Sequence, residues 1–176
     1  MIGLKRNAVQ VVAYCTDWRT LFEQEWRVLH QHIGHLVLDI QHVGSTAVPG
    51  LDAKPIIDIA VAVVSSMEIS QCRPLLCALG YLDRGDGGID GECLFVKESA
   101  PEVRTHHLHI VRRDSPLWSN YLRFRDVLRT DDMLRRKYAA LKRASQEQFS
   151  QDRKAYTASK HAFIQDTLRQ NQGEQP

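Results

Sequence analysis

The chain contains no apolar run that approaches the roughly 18 residues of a membrane-spanning helix. Its start, Met1 to Asn7, is short and polar, and it shows no signal-peptide pattern. These two absences argue against a membrane protein and against export. They predict a soluble protein of the cytoplasm.

Cysteine and aromatic residues are sparse, and charge is nearly balanced. The four cysteines, Cys15, Cys72, Cys77 and Cys93, show no C-x-x-C spacing, which predicts free thiols. Aromatic residues make up 7% of the chain, the net charge is +2, and the sequence has no extended stripe of basic and aromatic side chains. The sequence therefore argues against a protein that works along long nucleic acid. It leaves the oligomeric state open, with a homo-oligomer among the alternatives.

What the chain does contain is enough apolar sequence for a core. Of its 176 residues, 43% are hydrophobic and 25% are charged, which is typical of a globular domain. No stretch resembles a linker. We therefore expect one domain over residues 1–176, with a β-rich part to about residue 112 and a helical part over residues 113–170.

Hydrophobic periodicity and turn residues predict the order of the elements. Helices are expected over residues 17–34, 66–79, 116–128, 131–149 and 152–169, and strands over 36–43, 55–64, 92–98 and 104–112. The segment 81–91 is too rich in glycine to be regular. Short turns between the strands favour a mixed, largely antiparallel sheet and hence an α+β fold. We expect the helices to pack on one face of this sheet.

The most unusual residue is Asp58, the only charged residue between Pro55 and Val64. A charge in so apolar a strand is costly unless it is paired, bound to a metal or placed at a cleft. Because side chains alternate along a strand, Asp58 shares its face with Ala60 and Ala62. Their small size leaves room for a ligand or a packed helix.

A turn before this strand carries Gly44, Ser45 and Thr46. It offers backbone N–H groups, two hydroxyls and a glycine that lets a phosphate approach closely. Asp58 follows on the next strand. Together, the Gly-Ser turn and the aspartate predict a site for a phosphate chain and its metal ion.

Several motifs resemble those of one protein family. They are H-V-G-S-T-A-V-P-G-L-D-A-K-P-I-I-D-I at 42–59, T-H-H-L-H-I-V at 105–111, Y-L-R-F-R-D-V-L-R at 121–129, Y-A-A-L-K at 138–142 and D-R-K-A-Y-T-A-S-K-H-A-F-I at 152–164. On these residues the chain resembles the GrpB family, which is assigned to the nucleotidyltransferase superfamily. The resemblance covers nearly the whole chain and implies a nucleotidyltransferase-like fold.

The resemblance also implies a reaction. A nucleoside monophosphate would pass from an NTP co-substrate to a hydroxyl of a small molecule or a protein, with Mg²⁺ or Mn²⁺ as cofactor. Gly44 and Ser45 match the phosphate-binding Gly-Ser, and Asp58 matches the first carboxylate of a D-x-D pair. The second carboxylate belongs at position 60, where this chain has Ala60. Alanine supplies no metal ligand, so a non-catalytic module that binds a nucleotide or phosphorylated metabolite is an alternative.

Two histidines offer a different chemistry beside Asp58. His107 and His109 share one face of the last predicted strand, which should neighbour the Asp58 strand. Two imidazoles near a carboxylate could simply be partly exposed and hydrogen-bonded on the sheet face. They could also bind Zn²⁺ or Mn²⁺, hold a phosphate as cations, or serve as acid and base. Glu92 begins a nearby strand and could replace the missing carboxylate or form an edge ion pair, and His42 could join the cluster. A histidine-metal enzyme is therefore a further alternative.

The remaining candidates are basic or aromatic. Lys54, just before the Asp58 strand, is a candidate phosphate contact or a solvated loop residue. Tyr156 and Lys160 lie four residues apart and share a helix face. They could stack on and grip a nucleotide, or cover the core from the surface. By the family resemblance, Arg125 is expected to point inward and to pair with a carboxylate or a phosphate.

Overall fold

The computed structural model describes residues 2–171, which form six strands and six α-helices. The strands are β1 (Leu4–Lys5), β2 (Asp39–Val43), β3 (Ile57–Val63), β4 (Tyr81–Asp83), β5 (Glu92–Ala100) and β6 (Val103–Arg112). The helices are α1 (Asp17–Ile33), α2 (Ser66–Ala78), α3 (Pro116–Thr130), α4 (Asp132–Gln148), α5 (Arg153–Ser159) and α6 (His161–Gln170), and a 3₁₀ turn covers Ser45–Ala47.

One sheet joins all six strands in the order β2-β3-β6-β5-β4, and β1 pairs with the start of β6. Strands β3 and β6 run parallel, whereas the other pairs run antiparallel. The predicted α+β fold with a mixed, largely antiparallel sheet is therefore confirmed. The parallel register sets Asp58 opposite His107 and Ala60 opposite His109. All four side chains consequently lie on one face of the sheet.

The opposite face of β3 carries the main core. Ile57, Ile59, Val61 and Val63 are fully buried there, against residues of α1 and α2 such as Trp18, Leu29, Ile33, Cys72 and Leu76. Burying each of these aliphatic side chains stabilises the fold by about 1.5–3 kcal/mol. The β-branched row therefore anchors the strand that carries Asp58.

Helices cover both faces of the sheet, so the expectation of helices on one face is wrong. Trp118 of α3 packs on Ala60, Ala62 and Val43, on the face that also carries Asp58. The reason is side-chain volume, because two alanines leave space over the strand that an indole fills. A third apolar cluster, which includes Val48, Leu51, Leu128 and Tyr138, joins α3 and α4 to the segment after the 3₁₀ turn.

Side-chain caps fix where α3 and α4 begin. The Ser115 hydroxyl accepts a hydrogen bond from the N–H of Leu117, and Pro116 occupies the first turn of α3. The Asp131 carboxylate accepts one from the N–H of Leu134 at the start of α4. Each such cap contributes about 1 kcal/mol. These helices begin where the sequence predicts.

Two local predictions are wrong. Tyr81–Asp83 forms β4 against β5 inside the segment expected to be irregular, because the glycines begin only at Gly85 and leave this strand intact. The single helix expected over residues 152–169 is divided into α5 and α6. The Ser159 hydroxyl lies 2.8 Å from the Ser145 hydroxyl and 2.9 Å from the Tyr156 carbonyl, and such side-chain contacts compete with a continuous helix.

Across residues 2–171, every helix is too short or too polar to cross a bilayer.

Candidate functional site

A cavity of about 420 Å³ opens between the Asp58 face of the sheet and the C-terminal helices. Its walls come from the turn after β2, from β3 and β6, and from α3 to α6. The polar and aromatic lining consists of Ser45, Thr46, Lys54, Asp58, His107, Asn120, Tyr121, Phe124, Tyr138, Lys142, Arg153, Tyr156, Thr157, Lys160 and Gln165. A volume of this size suits a small-molecule ligand.

Gly44 lets the turn lie directly against the Asp58 carboxylate. Its φ angle is +67°, and a Cβ at this position would lie 2.5 Å from Asp58 Oδ2. Only glycine tolerates both the left-handed backbone and the close approach. The Gly-Ser turn and the aspartate therefore form one unit, with Ser45 at the cavity wall.

Asp58 lies beside two imidazoles. The Nδ1 of His107 is 3.0 Å from Asp58 Oδ1, and the Nε2 of His109 is 3.9 Å from the same oxygen. Burial raises the pKa of Asp58, but the contacts with His107 and His109 outweigh it and hold that pKa well below its usual range. Burial lowers the pKa of His107, although Asp58 opposes the shift. At neutral pH the aspartate is therefore ionised.

Glu92 and Tyr121 lie behind His109. The His109 Nδ1 is 2.7 Å from Glu92 Oε1, and the Tyr121 hydroxyl donates to Glu92 Oε2 at 2.6 Å. The Glu92 side chain is only 1% exposed. Burial opposes the charge on His109, yet contacts with Asp58 and Glu92 raise its pKa to about 9. An imidazolium thus lies between two carboxylates, which balances part of their buried charge.

Four basic side chains reach the cavity from other elements, namely Lys54, Lys142, Arg153 and Lys160. The Lys142 ammonium donates to the Ser45 hydroxyl at 3.0 Å and to the carbonyl of Asp52. The Lys54 and Lys160 ammoniums lie 5.2 and 4.1 Å from the centre of the Tyr156 ring. Two ammonium groups therefore lie close to the ring of this tyrosine.

These cations are poorly balanced by the protein. Among residues 2–171, no carboxylate oxygen lies within 4.0 Å of the nitrogens of Lys54, Lys142 or Lys160. Burial lowers the pKa of Lys142 and of Lys160 to about 7 and that of Lys54 to about 8, with neighbouring cations adding to the shift. Unpaired buried ammoniums cost free energy. A bound anion with several negative oxygens would remove that cost.

Most of the predicted site residues come together. Eight of them line the cavity, namely Gly44, Ser45, Thr46, Lys54, Asp58, His107, Tyr156 and Lys160. His109 and Glu92 form the layer behind Asp58, as described above. Arg125 lies apart from the cavity. Its guanidinium pairs with the carboxylate of Asp126, with Nε 2.7 Å from Oδ1, and donates to the side chain of Gln41 and the carbonyl of His42. His42 is on the other face of the sheet, stacked on Phe22, so it cannot join the cluster.

Sequence reasoning missed Lys142, Tyr138, Arg153 and Tyr121. One signal was available, because Tyr138 and Lys142 lie four residues apart, as Tyr156 and Lys160 do. The Lys142 ammonium lies 4.8 Å from the centre of the Tyr138 ring, which repeats the cation–aromatic arrangement. The spacing gives no sign, however, of which cavity the pair would reach.

Asp58, His107 and His109 form a group that could hold a metal ion, since their ligand atoms lie within 4.8 Å of one another. The donors are one carboxylate and two imidazoles. Mg²⁺ prefers oxygen ligands in octahedral geometry, and Ala60 lies fully buried where a second carboxylate would be needed. Glu92 does not supply it, because its two oxygens contact His109 and Tyr121. The site therefore does not fit a pair of Mg²⁺ ions.

Together, the sheet, the Gly-Ser turn and the basic cavity define an α+β protein whose basic side chains face a carboxylate. The profile of the GrpB protein family matches residues 8–170, and the chain belongs to that family. It is 34% identical over 171 residues to the glutamate-rich protein GrpB of Alkalihalophilus pseudofirmus, covering 96% of this chain and 98% of the relative.

A solved structure has the same fold. The conserved protein GrpB from Enterococcus faecalis superposes with a TM-score of 0.83 at 31% identity, covering 92% of this chain and 96% of that one. A remoter similarity is to the Cid1 poly(U) polymerase, with a TM-score of 0.45 and 14% identity over 76% of this chain and 45% of Cid1. A likeness as low as that to Cid1 carries no conclusion about activity.

Proposed function

We propose that the cavity binds a nucleoside triphosphate and that the protein transfers the nucleoside monophosphate to a hydroxyl of a small molecule or a protein. The observation that carries this proposal is the convergence of Lys54, Lys142, Arg153 and Lys160 on a cavity whose lining contains one carboxylate, Asp58. Three or four phosphate charges would balance these cations. The aromatic rings in the wall offer surfaces on which a base can stack.

The roles follow from position. Ser45 and Lys142, which already contact each other, would hold phosphate oxygens at the turn. Lys54 and Lys160, which both lie close to Tyr156, would hold the rest of the phosphate chain. The ionised Asp58 faces the same space and would orient the acceptor hydroxyl by accepting its hydrogen bond. No step is assigned to Mg²⁺, because the donor set does not fit it.

A second candidate is a module that binds a nucleotide or phosphorylated metabolite without transfer. Position 60 favours this second candidate. Ala60 supplies no carboxylate there and is buried under Trp118, so Asp58 is the single carboxylate of the cavity lining. Pyrophosphate release separates the two candidates when each NTP is supplied with Mn²⁺, Zn²⁺ or Mg²⁺ and a pooled metabolite fraction as acceptor. Release that is lost in Asp58→Asn supports transfer. Saturable binding without release supports the module, and absence of nucleotide binding overturns both.

Lys160→Met is expected to weaken nucleotide binding by about 10- to 100-fold, because one charge-assisted contact contributes roughly 1.5–3 kcal/mol. The matched control is Lys154→Met, which removes an exposed lysine of α5 outside the cavity. Isothermal titration calorimetry with the preferred NTP measures both. Equal affinities for the two variants would remove the phosphate role from Lys160.

Nucleotide affinity is expected to fall as the pH rises above about 7. Burial lowers the pKa of Lys160 to about 7, so this side chain is partly neutral in the free protein. A bound phosphate favours the charged form and raises that pKa, so binding takes up a proton. Calorimetry in buffers of different ionisation enthalpy measures the uptake. The number of protons taken up on nucleotide binding should be smaller for Lys160→Met than for the wild type. Equal proton uptake would contradict the phosphate role of Lys160.

A further inference from the structure

The donor geometry around Asp58 suits one ion that accepts nitrogen ligands. The Asp58 Oδ1 is 3.0 Å from His107 Nδ1 and 3.9 Å from His109 Nε2. Two donors that each lie about 2.0–2.2 Å from one ion are at most about 4.4 Å apart. Both distances therefore allow a shared ion after small side-chain movements, with no change in the backbone.

The environment of His109 matches that of metal-binding histidines. Its Nδ1 contacts Glu92, which leaves Nε2 directed toward Asp58. Tyr121 in turn donates to the second Glu92 oxygen and fixes the carboxylate. A carboxylate behind a histidine sets the ring orientation and makes the free nitrogen a better donor. This arrangement gives a positioning role to Glu92, whose side chain is only 1% exposed.

The side of the group that faces the cavity is open. The Asp58 side chain is 30% exposed, and both Asp58 and His107 line the cavity wall. Three protein ligands with a free position toward a cleft are typical of catalytic zinc sites, whereas structural zinc sites have four protein ligands. The free position would face the space that the proposed function assigns to phosphates.

We propose that Asp58, His107 and His109 bind one divalent transition-metal ion, with Zn²⁺ preferred over Mn²⁺ and with Mg²⁺ excluded. Imidazole suits Zn²⁺, and among first-row divalent ions, whose affinity peaks at Cu²⁺, Zn²⁺ binds nitrogen ligands more tightly than Mn²⁺. Mg²⁺ keeps its oxygen ligands and waters. Glu92 and Tyr121 are positioning residues for His109. The proposed metal site does not depend on nucleotide binding. The metal site and the proposed nucleotide-binding function can therefore be disproved separately.

The test measures metal binding by tag-free protein without nucleotide. Protein stripped with a chelator is titrated with Zn²⁺, Mn²⁺ or Mg²⁺ in a calorimeter, and metal content after gel filtration is measured by mass spectrometry. We expect one Zn²⁺ per chain, weaker Mn²⁺ binding and no competition from Mg²⁺. Loss of this site in His107→Ala and Asp58→Asn supports the proposal. Displacement of Zn²⁺ by equimolar Mg²⁺ overturns it.

Surface histidines supply the control. His30, His32 and His35 are exposed near the end of α1 and could collect Zn²⁺ without function. The triple variant His30→Ala, His32→Ala and His35→Ala should keep the site. Loss of Zn²⁺ in this variant would assign the ion to the surface. If a site variant fails to fold, X-ray absorption of the wild-type Zn²⁺ complex still decides, because scattering that lacks two imidazoles overturns the assignment.

Glu92→Gln is expected to weaken Zn²⁺ binding by about 10- to 100-fold, because the loss of a carboxylate behind a ligating histidine has an effect of that size. Glutamine keeps the shape of the side chain and removes its charge. Calorimetry with Zn²⁺ measures the effect, and circular dichroism checks that the fold is kept. A folded Glu92→Gln protein with wild-type affinity would exclude the positioning role.

Discussion

His109→Leu is expected to lower the free energy of unfolding by about 3–5 kcal/mol in the metal-free protein, the range found when a buried ion pair loses one partner. The change leaves Glu92 with its side chain 1% exposed and with only the Tyr121 hydroxyl as a close partner. Urea denaturation at neutral pH measures the loss. The double variant His109→Leu/Glu92→Leu should recover much of it, because no unpaired charge then remains buried.

The pH dependence gives this result a second readout. The pKa of His109 is raised to about 9 in the folded protein, so its contribution to stability is complete below its ordinary value near 6.5. The contribution is lost as the pH rises through about 9. His106→Leu is the control, since His106 lies on the other face and contacts the Thr105 hydroxyl at 2.9 Å. Equal losses for the two variants would show that the paired charge does not matter.

Gly44→Ala is expected to abolish nucleotide binding and to destabilise the protein by roughly 2–4 kcal/mol. The new Cβ would lie 2.5 Å from Asp58 Oδ2, so either the turn or the carboxylate must move. The backbone angles of Gly44, φ +67° and ψ −169°, lie in a region that is essentially restricted to glycine, and a side chain there costs about 1–3 kcal/mol more. Urea denaturation and calorimetric titration with NTP measure the two effects.

Gly80→Ala is the control for a positive φ without a close contact. Gly80 has a φ of +84°, and nothing lies within 4 Å of a Cβ added there. The variant should therefore lose only about 1–2 kcal/mol and keep its ligand affinity. If Gly44→Ala behaved in the same way, the contact between the turn and Asp58 would have no role in the site.

The alternation of side chains between the two faces of a strand explains why much of the site could be predicted. Successive side chains of a regular strand alternate between faces, so His107 and His109 share one face of β6. They share it with Asp58 because the register sets Asp58 opposite His107. The same rule separates His42 from them, because its strand pairs His42 with Ile59 on the opposite face. Register, which no single strand specifies alone, was the missing information.

Helix packing explains what could not be predicted. Lys142 reaches Ser45 across 97 positions of sequence, and its place depends on how α4 lies against the turn. Arg125 points inward as expected, but it meets the edge of β2 instead of the cavity. The break before Lys160 arises from a contact between Ser159 and Ser145, which no local pattern indicates. Residues on helices were therefore assigned less well than those on strands.

The two walls of the cavity also differ in when they leave the ribosome. The turn at Gly44, the Asp58 strand and His107 are synthesised first, and the wall from Tyr138 to Leu168 follows much later. A nascent chain that ends at Thr130 holds all six strands but only part of the lysines and tyrosines that face Asp58. Ligand binding consequently reports completed synthesis of α4, α5 and α6, and a stalled or truncated chain should be distinguishable by its failure to gain thermal stability from nucleotide.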